Sequence, residues 1–324
     1  MEILIIGFSN IVQRRLIPAL NKLDGITKIH IASRQSNKNL QTSNVKKLGE
    51  VITGYDNALD KVSSCLAYIS LPNHLHGEWA IKALQAGFHV IIDKPAFQKK
   101  DEFNHAIALS SKYNLCLAES TVWMFHKQIS MVQRILAEEE LTPQVIQSVF
   151  SFPPLPKSNF RNDPKKGGGS FADLSAYAIT PGRLFFKEKP HSINCKVLSR
   201  DKLKNIDTSF SLTSSYQNGC LLQGFFGFTT GYQNKMTIMG RDFSVAISPV
   251  FTMTDDVQSE VSFNIRNKTV NYKIDPSDMF LEFLIKVLST IDNEDFRCWS
   301  DILKIDFELS QMAALSAGLI KYDN

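Results

Sequence analysis

A lysine at the end of a buried strand is the residue of this chain best placed to do chemistry. Lys94 follows the apolar run His89–Asp93 and precedes Pro95. A lysine has no packing reason to stand there, and the peptide before a proline is rigid and fixes direction. Its ammonium group could hold a substrate hydroxyl or carbonyl oxygen and lower the pKa of a neighbouring group. The structural alternative is an ion pair between Lys94 and Asp93.

The turn after the first apolar run has part of a dinucleotide-binding pattern. The expected spacing is G-x-G-x-x-G between a strand and a helix, and the chain has Gly7, Ser9 and Val12 at those positions. Gly7 suits the tight turn. A serine restricts the approach of the backbone to a pyrophosphate, although its hydroxyl could donate a hydrogen bond, and a valine moves the helix away from the strand. Taken alone, the pattern also fits a plain strand–turn–helix.

The end of the second predicted strand indicates which dinucleotide would bind. It runs Ile31-Ala32-Ser33-Arg34, without the Asp or Glu that usually holds the ribose 2′-hydroxyl of NAD. A carboxylate would repel a 2′-phosphate, whereas the guanidinium of Arg34 can bind one through its planar fork of donors. We therefore predict a preference for NADP(H) over NAD(H). The alternative is a surface arginine that happens to follow a strand.

Short apolar runs and amphipathic stretches alternate through the first 120 residues. The predicted strands are Ile3–Gly7, Lys28–Ser33, Leu66–Leu71, His89–Asp93 and Leu115–Ala118. The predicted helices are Ile11–Leu23, Asn44–Leu48 with Asn57–Lys61, His76–Ala86 and Glu102–Tyr113. This alternation predicts βαβ units and a parallel sheet, and ligands of such sheets lie beyond the carboxyl ends of the strands.

The pattern changes after a predicted helix at Ile129–Glu138. A further helix is predicted at Ser170–Phe186, followed by strands between Ser192 and Ile274 and by helices at Met279–Ile291 and Ser300–Leu319. The predicted fold class is α/β, with two domains. Residues 1–120 form a Rossmann-type parallel-sheet domain that binds a dinucleotide, and residues 121–324 form an α+β domain with an open, mainly antiparallel sheet.

Composition excludes several classes of protein. The chain has 324 residues, 44% hydrophobic and 21% charged, and its net charge of +4 is scattered, which argues against disorder and against a nucleic-acid surface. Five cysteines without C-x-x-C spacing predict neither a disulfide framework nor a zinc site, and no metal is expected. Met1 leads directly into an apolar strand, and no apolar run approaches the roughly 20 residues of a spanning helix. We expect a cytoplasmic protein without a membrane partner.

The segment from Tyr68 to Pro95 resembles the Gfo/Idh/MocA oxidoreductases. In that family a strand ends in P-N-x-x-H, a helix ends in A-G-K/F-H-V, and the next strand ends in E-K-P. The chain has Pro72-Asn73-His74-Leu75-His76, then Ala86-Gly87-Phe88-His89-Val90, then Asp93-Lys94-Pro95, with Asp93 in place of Glu. The resemblance implies a Rossmann domain followed by an α/β domain whose open sheet often forms a dimer interface, so a homodimer or homotetramer is expected.

A second segment resembles the family's G-G-G-x-L-x-D-x-G-x-H/Y landmark. The chain has Gly167-Gly168-Gly169-Ser170-Phe171-Ala172-Asp173-Leu174-Ser175-Ala176-Tyr177, with Phe171 and Ser175 in place of Leu and Gly. Tyrosine at the last position is typical of a branch that includes sugar-nucleotide 3-ketoreductases. Three further segments look like those ketoreductases: Ile11–Leu20, Phe160–Pro164 and Gly231–Thr252.

The resemblance assigns chemistry to Asp173 and Tyr177, which share one helix face because they are four residues apart. A nearby ammonium favours phenolate and lowers the pKa of a tyrosine from its ordinary value of about 10, so Tyr177 could protonate a ketone oxygen as hydride arrives at carbon. Lys94 would orient that oxygen, and Asp173 would hold a substrate hydroxyl. The alternative for Tyr177 is a packed tyrosine with a satisfied hydroxyl.

The predicted function is NADP-dependent reduction of a keto group in a sugar or sugar nucleotide. One alternative is oxidation of a free sugar or a diol by the same residues run in reverse, and another is a dinucleotide-binding protein that has lost turnover. The predicted catalytic residues are Lys94, Tyr177 and Asp173. The predicted cofactor-binding residues are Gly7, Phe8, Ser9, Asn10, Ile11, Ser33, Arg34, Leu71, Pro72, Asn73, His76, Asp93, Lys94 and Arg161.

Overall fold

The structure is a computed structural model and describes residues 1–34, 40–63 and 65–321. The chain divides into two compact units. The first comprises residues 1–121 and 280–304, and the second comprises residues 122–279 together with the segment that begins at Ile305. Among the described residues, no helix is long and apolar enough to cross a membrane.

A six-stranded parallel sheet forms the centre of the first unit. Its strands are β1 (Glu2–Ile6), β2 (Lys28–Ser33), β3 (Leu48–Thr53), β4 (Leu66–Ile69), β5 (His89–Ile92) and β6 (Leu117–Glu119). They are arranged in the order β3-β2-β1-β4-β5-β6. This is the order of a dinucleotide-binding Rossmann fold, so the predicted fold class of the N-terminal domain is confirmed. The order reverses between β1 and β4, where the carboxyl edge of such a sheet binds its ligand.

Hydrophobic residues on both faces explain why the central strands form a covered parallel sheet. Residues 3–6 of β1 and 66–69 of β4 are all fully buried, which is typical of strands with helices on both sides. The helices numbered from this part of the chain are α1 (Ile17–Asn21), α2 (Tyr55–Lys61), α3 (His76–Gln85) and α4 (Lys100–Tyr113). A π-helical turn, Val12–Leu16, leads directly into α1.

The predicted helix at Asn44–Leu48 is wrong. Turns occupy residues 43–44 and 46–47, and the edge strand β3 begins at Leu48. Only Ile52 is buried in β3, since one side of an edge strand faces solvent. Val45 and Leu48 are three residues apart, which resembles helical spacing, and a strand with a single buried residue gives no alternating hydrophobic signal.

The structure also differs from the predicted division of the chain, in which residues 121–324 form one domain. Residues 280–304 belong to the first unit. The ring of Phe296 lies edge-on to that of His89, with centroids 5.3 Å apart. The guanidinium of Arg15 lies 6.0 Å from the ring centroid of Phe280. These contacts join the returning segment to the Rossmann sheet and its helices.

The second unit contains an eight-stranded mixed sheet. Its strands are β7 (Val145–Ser151), β8 (Ser192–Asp201), β9 (Ile206–Ser215), β10 (Leu221–Gly227), β11 (Gln233–Gly240), β12 (Phe243–Ile247), β13 (Ser259–Ile265) and β14 (Lys268–Ile274). Their order is β14-β13-β12-β11-β7-β10-β9-β8. Strands β7 and β10 run parallel, and the other neighbours run antiparallel. The predicted open, mainly antiparallel sheet is confirmed.

The remaining long helices are divided between the two units. Helices α5 (Lys127–Glu138) and α6 (Ser170–Phe186) belong to the second unit. Helix α7 (Met279–Asp292) belongs to the first unit except for Met279, and α8 (Arg297–Ser316) begins in the first unit and ends in the second. Helix α6 contacts β7, β9 and β10. Large aromatic side chains, among them Phe210 and Phe226, are fully buried in the core of the unit.

Candidate active site

The predicted cofactor-binding residues lie mainly at the carboxyl edge of the parallel sheet. Five of them follow β1, namely Gly7, Phe8, Ser9, Asn10 and Ile11, and three follow β4, namely Leu71, Pro72 and Asn73. Ser33 is the last residue of β2, and Arg34 follows it. Asp93 and Lys94 follow β5, and His76 begins α3. Arg161 lies in the second unit. The sheet topology thus brings together most of the residues that the sequence predicted for this role.

Gly7 allows the turn after β1 to pass close to β4. Its φ angle is +96°, and a Cβ atom added there would lie 2.2 Å from the carbonyl oxygen of Ser70. Its N–H donates to the carbonyl of Ala32 over 3.0 Å. Since both the left-handed backbone and the close approach exclude a side chain, the first glycine of the pattern is required by the fold itself.

Three hydroxyl groups anchor the carboxylate of Asp93, the residue before Lys94. Tyr68 Oη donates to Asp93 Oδ1 over 2.6 Å, and Ser120 Oγ donates to the same oxygen over 3.2 Å. Ser70 Oγ donates to Asp93 Oδ2. Burial raises the pKa of Tyr68 well above its ordinary value, and the adjacent Asp93 carboxylate raises it further, so this tyrosine stays a proton donor. The end of β5 is therefore held from β4 and from the residue that follows β6.

The residues after Lys94 are held from two further sides. His76 is 1% exposed, and its Nδ1 and Nε2 lie 2.8 Å from the carbonyl oxygens of Pro95 and Leu71, respectively. Burial lowers the pKa of His76. The N–H of Ala96 donates to Glu119 Oε2 over 2.8 Å. Because both ring nitrogens face carbonyl oxygens of the chain, the geometry favours a positioning role for His76 over the contact with a dinucleotide that the sequence predicted.

The end of β2 offers a buried hydroxyl followed by an exposed cation. Ser33 is 6% exposed, whereas Arg34 is an exposed residue. Both are at the carboxyl edge, next to the turn after β1, because β1 and β2 pair in parallel from Glu2–Lys28 to Ile6–Ala32. This is the edge position at which a Rossmann sheet discriminates between a ribose 2′-hydroxyl and a 2′-phosphate.

In the second unit, Asp207 fixes the start of the helix that carries Asp173 and Tyr177. Asp207 lies in β9, and its Oδ2 accepts the hydroxyl of Ser170 over 2.5 Å and the N–H of Phe171 over 2.6 Å. A Cβ atom on Gly169, whose φ is +114°, would lie 2.4 Å from Asp207 Oδ1. The last glycine of the run thus gives a carboxylate from another element access to the N-terminus of α6, where a negative charge is favourable.

Replacing Asp207 by asparagine should destabilise the protein. The substitution removes the charge and can place an amide N–H against two donors, so the free energy of unfolding should fall by about 1–3 kcal/mol. A urea titration followed by circular dichroism measures the change. Asp256→Asn, at an exposed position of the same unit, should leave the unfolding midpoint unchanged; an equal effect of both substitutions would contradict a capping role for Asp207.

Asp173 and Tyr177 occupy different surroundings on α6. Asp173 Oδ2 lies 2.8 Å from Arg161 Nε, and the two side chains are 7% and 29% exposed. The ring of Tyr177 is nearly perpendicular to that of Phe150, at a centroid distance of 5.1 Å, and tilted against that of Phe251 at 5.2 Å. The structure therefore pairs two residues that the sequence assigned separately, Arg161 to the cofactor and Asp173 to the substrate.

Asn234 holds the segment that presents Phe251 to Tyr177. Its Oδ1 accepts the N–H groups of Val250 and Phe251 over 3.0 and 2.8 Å. Its Nδ2 lies 2.8 Å from the carbonyl oxygen of Thr252, to which it donates, and the side chain is almost fully buried. Asn234 belongs to a segment similar to ketoreductases, but its sequence context predicts no role for it, because the residues that it holds lie 16 to 18 positions later.

Two family profiles match most of the chain. "Oxidoreductase family, NAD-binding Rossmann fold" matches residues 1–120, and "GFO/IDH/MocA C-terminal domain" matches residues 129–246. The chain belongs to the Gfo/Idh/MocA family of oxidoreductases. The family that the residues around Lys94 and Tyr177 indicated is thus confirmed. Among the described residues, no group of three or more His, Cys, Asp or Glu side chains could hold a metal ion.

Individual relatives in this family act on sugars, according to their names. A dTDP-3,4-didehydro-2,6-dideoxy-alpha-D-glucose 3-reductase of Actinomadura kijaniata is 25% identical over 300 residues, which cover 92% of this chain and 90% of the relative. A D-xylose 1-dehydrogenase (NADP(+)) of Haloferax volcanii is 25% identical over 85% of this chain and 84% of the relative. The crystal structure of a 3-ketoreductase from A. kijaniata, in complex with NADP and TDP-benzene, superimposes with a TM-score of 0.90 at 22% identity, covering 98% of both chains.

Proposed function

We propose that the protein is an NADP-dependent oxidoreductase that reduces a keto group of a sugar nucleotide. The observation that supports this most directly is the placement of Lys94 at the carboxyl edge of a Rossmann sheet. Asp93 before it and Pro95 after it are both fixed by hydrogen bonds to side chains. A cation at this position lies at the edge where ligands of such sheets bind.

The residues divide the reaction between binding and proton transfer. The bound dinucleotide would supply hydride to the carbonyl carbon. Lys94 would hold the carbonyl oxygen, and Tyr177 Oη would donate the proton that completes the hydroxyl group. Asp173 would accept a hydrogen bond from a substrate hydroxyl, while its ion pair with Arg161 keeps the carboxylate oriented. The ring of Tyr177 packs against the rings of Phe150 and Phe251.

The preference for NADP rests on the end of β2 and on the relatives. Arg34 is exposed at the sheet edge, and a guanidinium binds a phosphate through parallel charge-assisted hydrogen bonds. The name of the H. volcanii relative and the ligands of the A. kijaniata structure both specify NADP. A nucleotide-linked sugar as substrate is supported by the reductases that act on dTDP-sugars.

A fluorescence titration with NADPH and with NADH tests the cofactor site. We expect the wild-type protein to bind NADPH more tightly than NADH. Arg34→Ala should raise the Kd for NADPH by about 10- to 100-fold, which corresponds to the free energy of the lost hydrogen bonds between two charged groups. It should leave the Kd for NADH unchanged, because NADH has no 2′-phosphate. Arg134→Ala, which removes an exposed arginine from α5, serves as the control. An equal effect of Arg34→Ala on both nucleotides would remove the 2′-phosphate role.

Oxidation of a free sugar is a second candidate, favoured by the similarity to the xylose dehydrogenase. One set of residues can serve both directions, since the general acid of reduction is the general base of oxidation. Product analysis with NADPH and ketosugar nucleotides, and separately with NADP⁺ and free aldoses, distinguishes the two. Tight binding of NADPH without turnover on either panel would instead favour a dinucleotide-binding protein.

A further inference from the structure

The hydroxyl of Ser9 is engaged within the protein, at the place where the dinucleotide pattern has its second glycine. Ser9 Oγ lies 2.8 Å from Ser70 Oγ and accepts the N–H of Val12 over 3.2 Å. Ser70 lies directly after β4 and is 3% exposed. From its residue type this hydroxyl could donate to a pyrophosphate, but in the structure it contacts Ser70, directly after β4.

The direction of each hydrogen bond follows from the number of available protons. Ser70 has one hydroxyl proton and donates it to the carboxylate of Asp93, which has none to offer in its charged form. The contact between Ser9 and Ser70 therefore has Ser9 as the donor. A chain of hydrogen bonds runs from the N–H of Val12 through both serines to Asp93, the residue before Lys94.

This series of hydrogen bonds connects the ends of β1 and β5, two strands that are not neighbours in the sheet. Strand β4 lies between β1 and β5, so the turn after β1 and the end of β5 are two strand spacings apart, about 10 Å. Hydrogen bonds that end on a carboxylate are stronger than neutral ones, and successive bonds in a chain polarise one another. Only two hydroxyl groups thus separate the turn after β1 from the Asp93 carboxylate.

We propose that Ser9 is a positioning residue that couples the dinucleotide turn to the orientation of Lys94. The proposal rests on the proposed function, because it assumes that the turn binds the cofactor and that Lys94 holds the substrate oxygen. It also explains why serine replaces the second glycine of the pattern. A serine keeps the backbone farther from the pyrophosphate than a glycine does, but its hydroxyl connects the turn to the end of β5, which Lys94 follows.

The decisive substitution is Ser9→Gly, which restores the second glycine of the pattern. If the hydroxyl couples the turn to Lys94, Ser9→Gly should lower kcat for ketosugar-nucleotide reduction about tenfold, the rate loss that corresponds to the free energy of one hydrogen bond. The Kd for NADPH should change by less than about threefold. Ser70→Ala should have the same effect. Because both substitutions interrupt the same series of hydrogen bonds, the double variant should lose no more kcat than either single variant. Ser9→Thr, which keeps the hydroxyl, should lose less kcat than Ser9→Gly.

A second measurement reports on Lys94 without any turnover. The acetylation rate of Lys94 by acetic anhydride, relative to that of exposed Lys61, is measured by mass spectrometry in the free protein. It should change by at least about threefold, and equally, in Ser9→Gly and Ser70→Ala, as expected for the loss of one hydrogen bond. Ser43→Gly, at an exposed turn of the same unit, controls for the added backbone freedom and should leave the rate unchanged.

The two measurements separate failure of this inference from failure of the proposed function. Unchanged acetylation of Lys94 in Ser9→Gly and Ser70→Ala would overturn the coupling, as would tighter NADPH binding with higher kcat in Ser9→Gly, or fully additive losses in the double variant. Altered acetylation in both variants, together with a wild-type protein that reduces no ketosugar nucleotide, would support the coupling and overturn the proposed substrate instead.

Discussion

Replacing Tyr177 by phenylalanine is expected to lower kcat by about 10²- to 10⁴-fold, the range of a lost general acid. The substitution removes only the hydroxyl group. The ring contacts with Phe150 and Phe251, at centroid distances of 5.1 and 5.2 Å, can remain, so the variant should fold and keep its unfolding midpoint. The loss should appear in kcat and kcat/KM with little change in KM, because proton donation acts in the transition state and not in substrate binding.

The measurement is steady-state reduction of a ketosugar nucleotide with NADPH at several pH values. Removal of Tyr177 should also abolish any limb of the pH profile that reports its ionisation. Tyr272→Phe, in β14 of the same unit, is the control and should keep wild-type turnover. If Tyr177→Phe and a companion Lys94→Ala variant both retain wild-type kcat, the assignment of these two residues is refuted.

The sequence was sufficient to predict the parts of the fold in which local pattern and burial agree. Strands β1, β2, β4 and β5 are short apolar runs, because both of their faces are covered, and their alternation with helices determines a parallel sheet. The topology then places whatever follows each strand at one edge. This is why the sequence alone assigns Lys94 and the turn after β1 to a common edge.

Features that depend on distant parts of the chain could not be predicted. Residues 280–304 return to the first unit. The amphipathic pattern of these residues predicts a helix with one buried face, but it does not indicate which of the two sheets that face covers. Strand β3 has one buried residue, and in β7 one of the alternating buried positions is Ser148, so neither strand gives a clear hydrophobic period. Asp207 caps α6 from 36 positions away, and a single Asp in a strand gives no sign of the donors that it meets.

Ser9 illustrates the same limit at the candidate site. The sequence showed that serine replaces a glycine and that its hydroxyl can donate, but the choice of acceptor depends on which strand lies next to β1. Only the pairing of β1 with β4 brings Ser70 within 2.8 Å. Residue type thus predicted the chemistry available, and strand order decided its use.

Asn234 is expected to be the most sensitive polar residue of the second unit's core. Its side chain accepts two backbone N–H groups through Oδ1 and donates to the carbonyl of Thr252 through Nδ2. Asn234→Asp keeps the shape and the acceptor but places a carboxylate oxygen against that carbonyl oxygen, where both carry negative charge. We expect the free energy of unfolding at neutral pH to fall by about 3 kcal/mol or more, as for a buried group that loses its partner.

The pH dependence of this loss identifies its cause. Burial and the facing carbonyl should raise the folded-state pKa of the introduced carboxyl above its unfolded value of about 3.9. The folded variant then binds more protons than the unfolded chain between the two pKa values, so its stability falls as pH rises through that interval. Relative to wild type, the deficit should be smallest near pH 4 and largest at pH 7 to 8, whereas a purely steric defect would be independent of pH.

Urea titrations at pH 4.5, 6 and 8, followed by circular dichroism, measure this dependence. Asn264→Asp, in β13 with an exposed hydrogen bond to Thr269, provides the matched control and should change stability little at any pH. Because the Asn234 contacts also hold Phe251 against Tyr177, the folded fraction of Asn234→Asp should show a lower kcat at the pH where it is least stable. An unfolding midpoint equal to that of Asn264→Asp throughout would show that the segment 250–252 holds its place without Asn234.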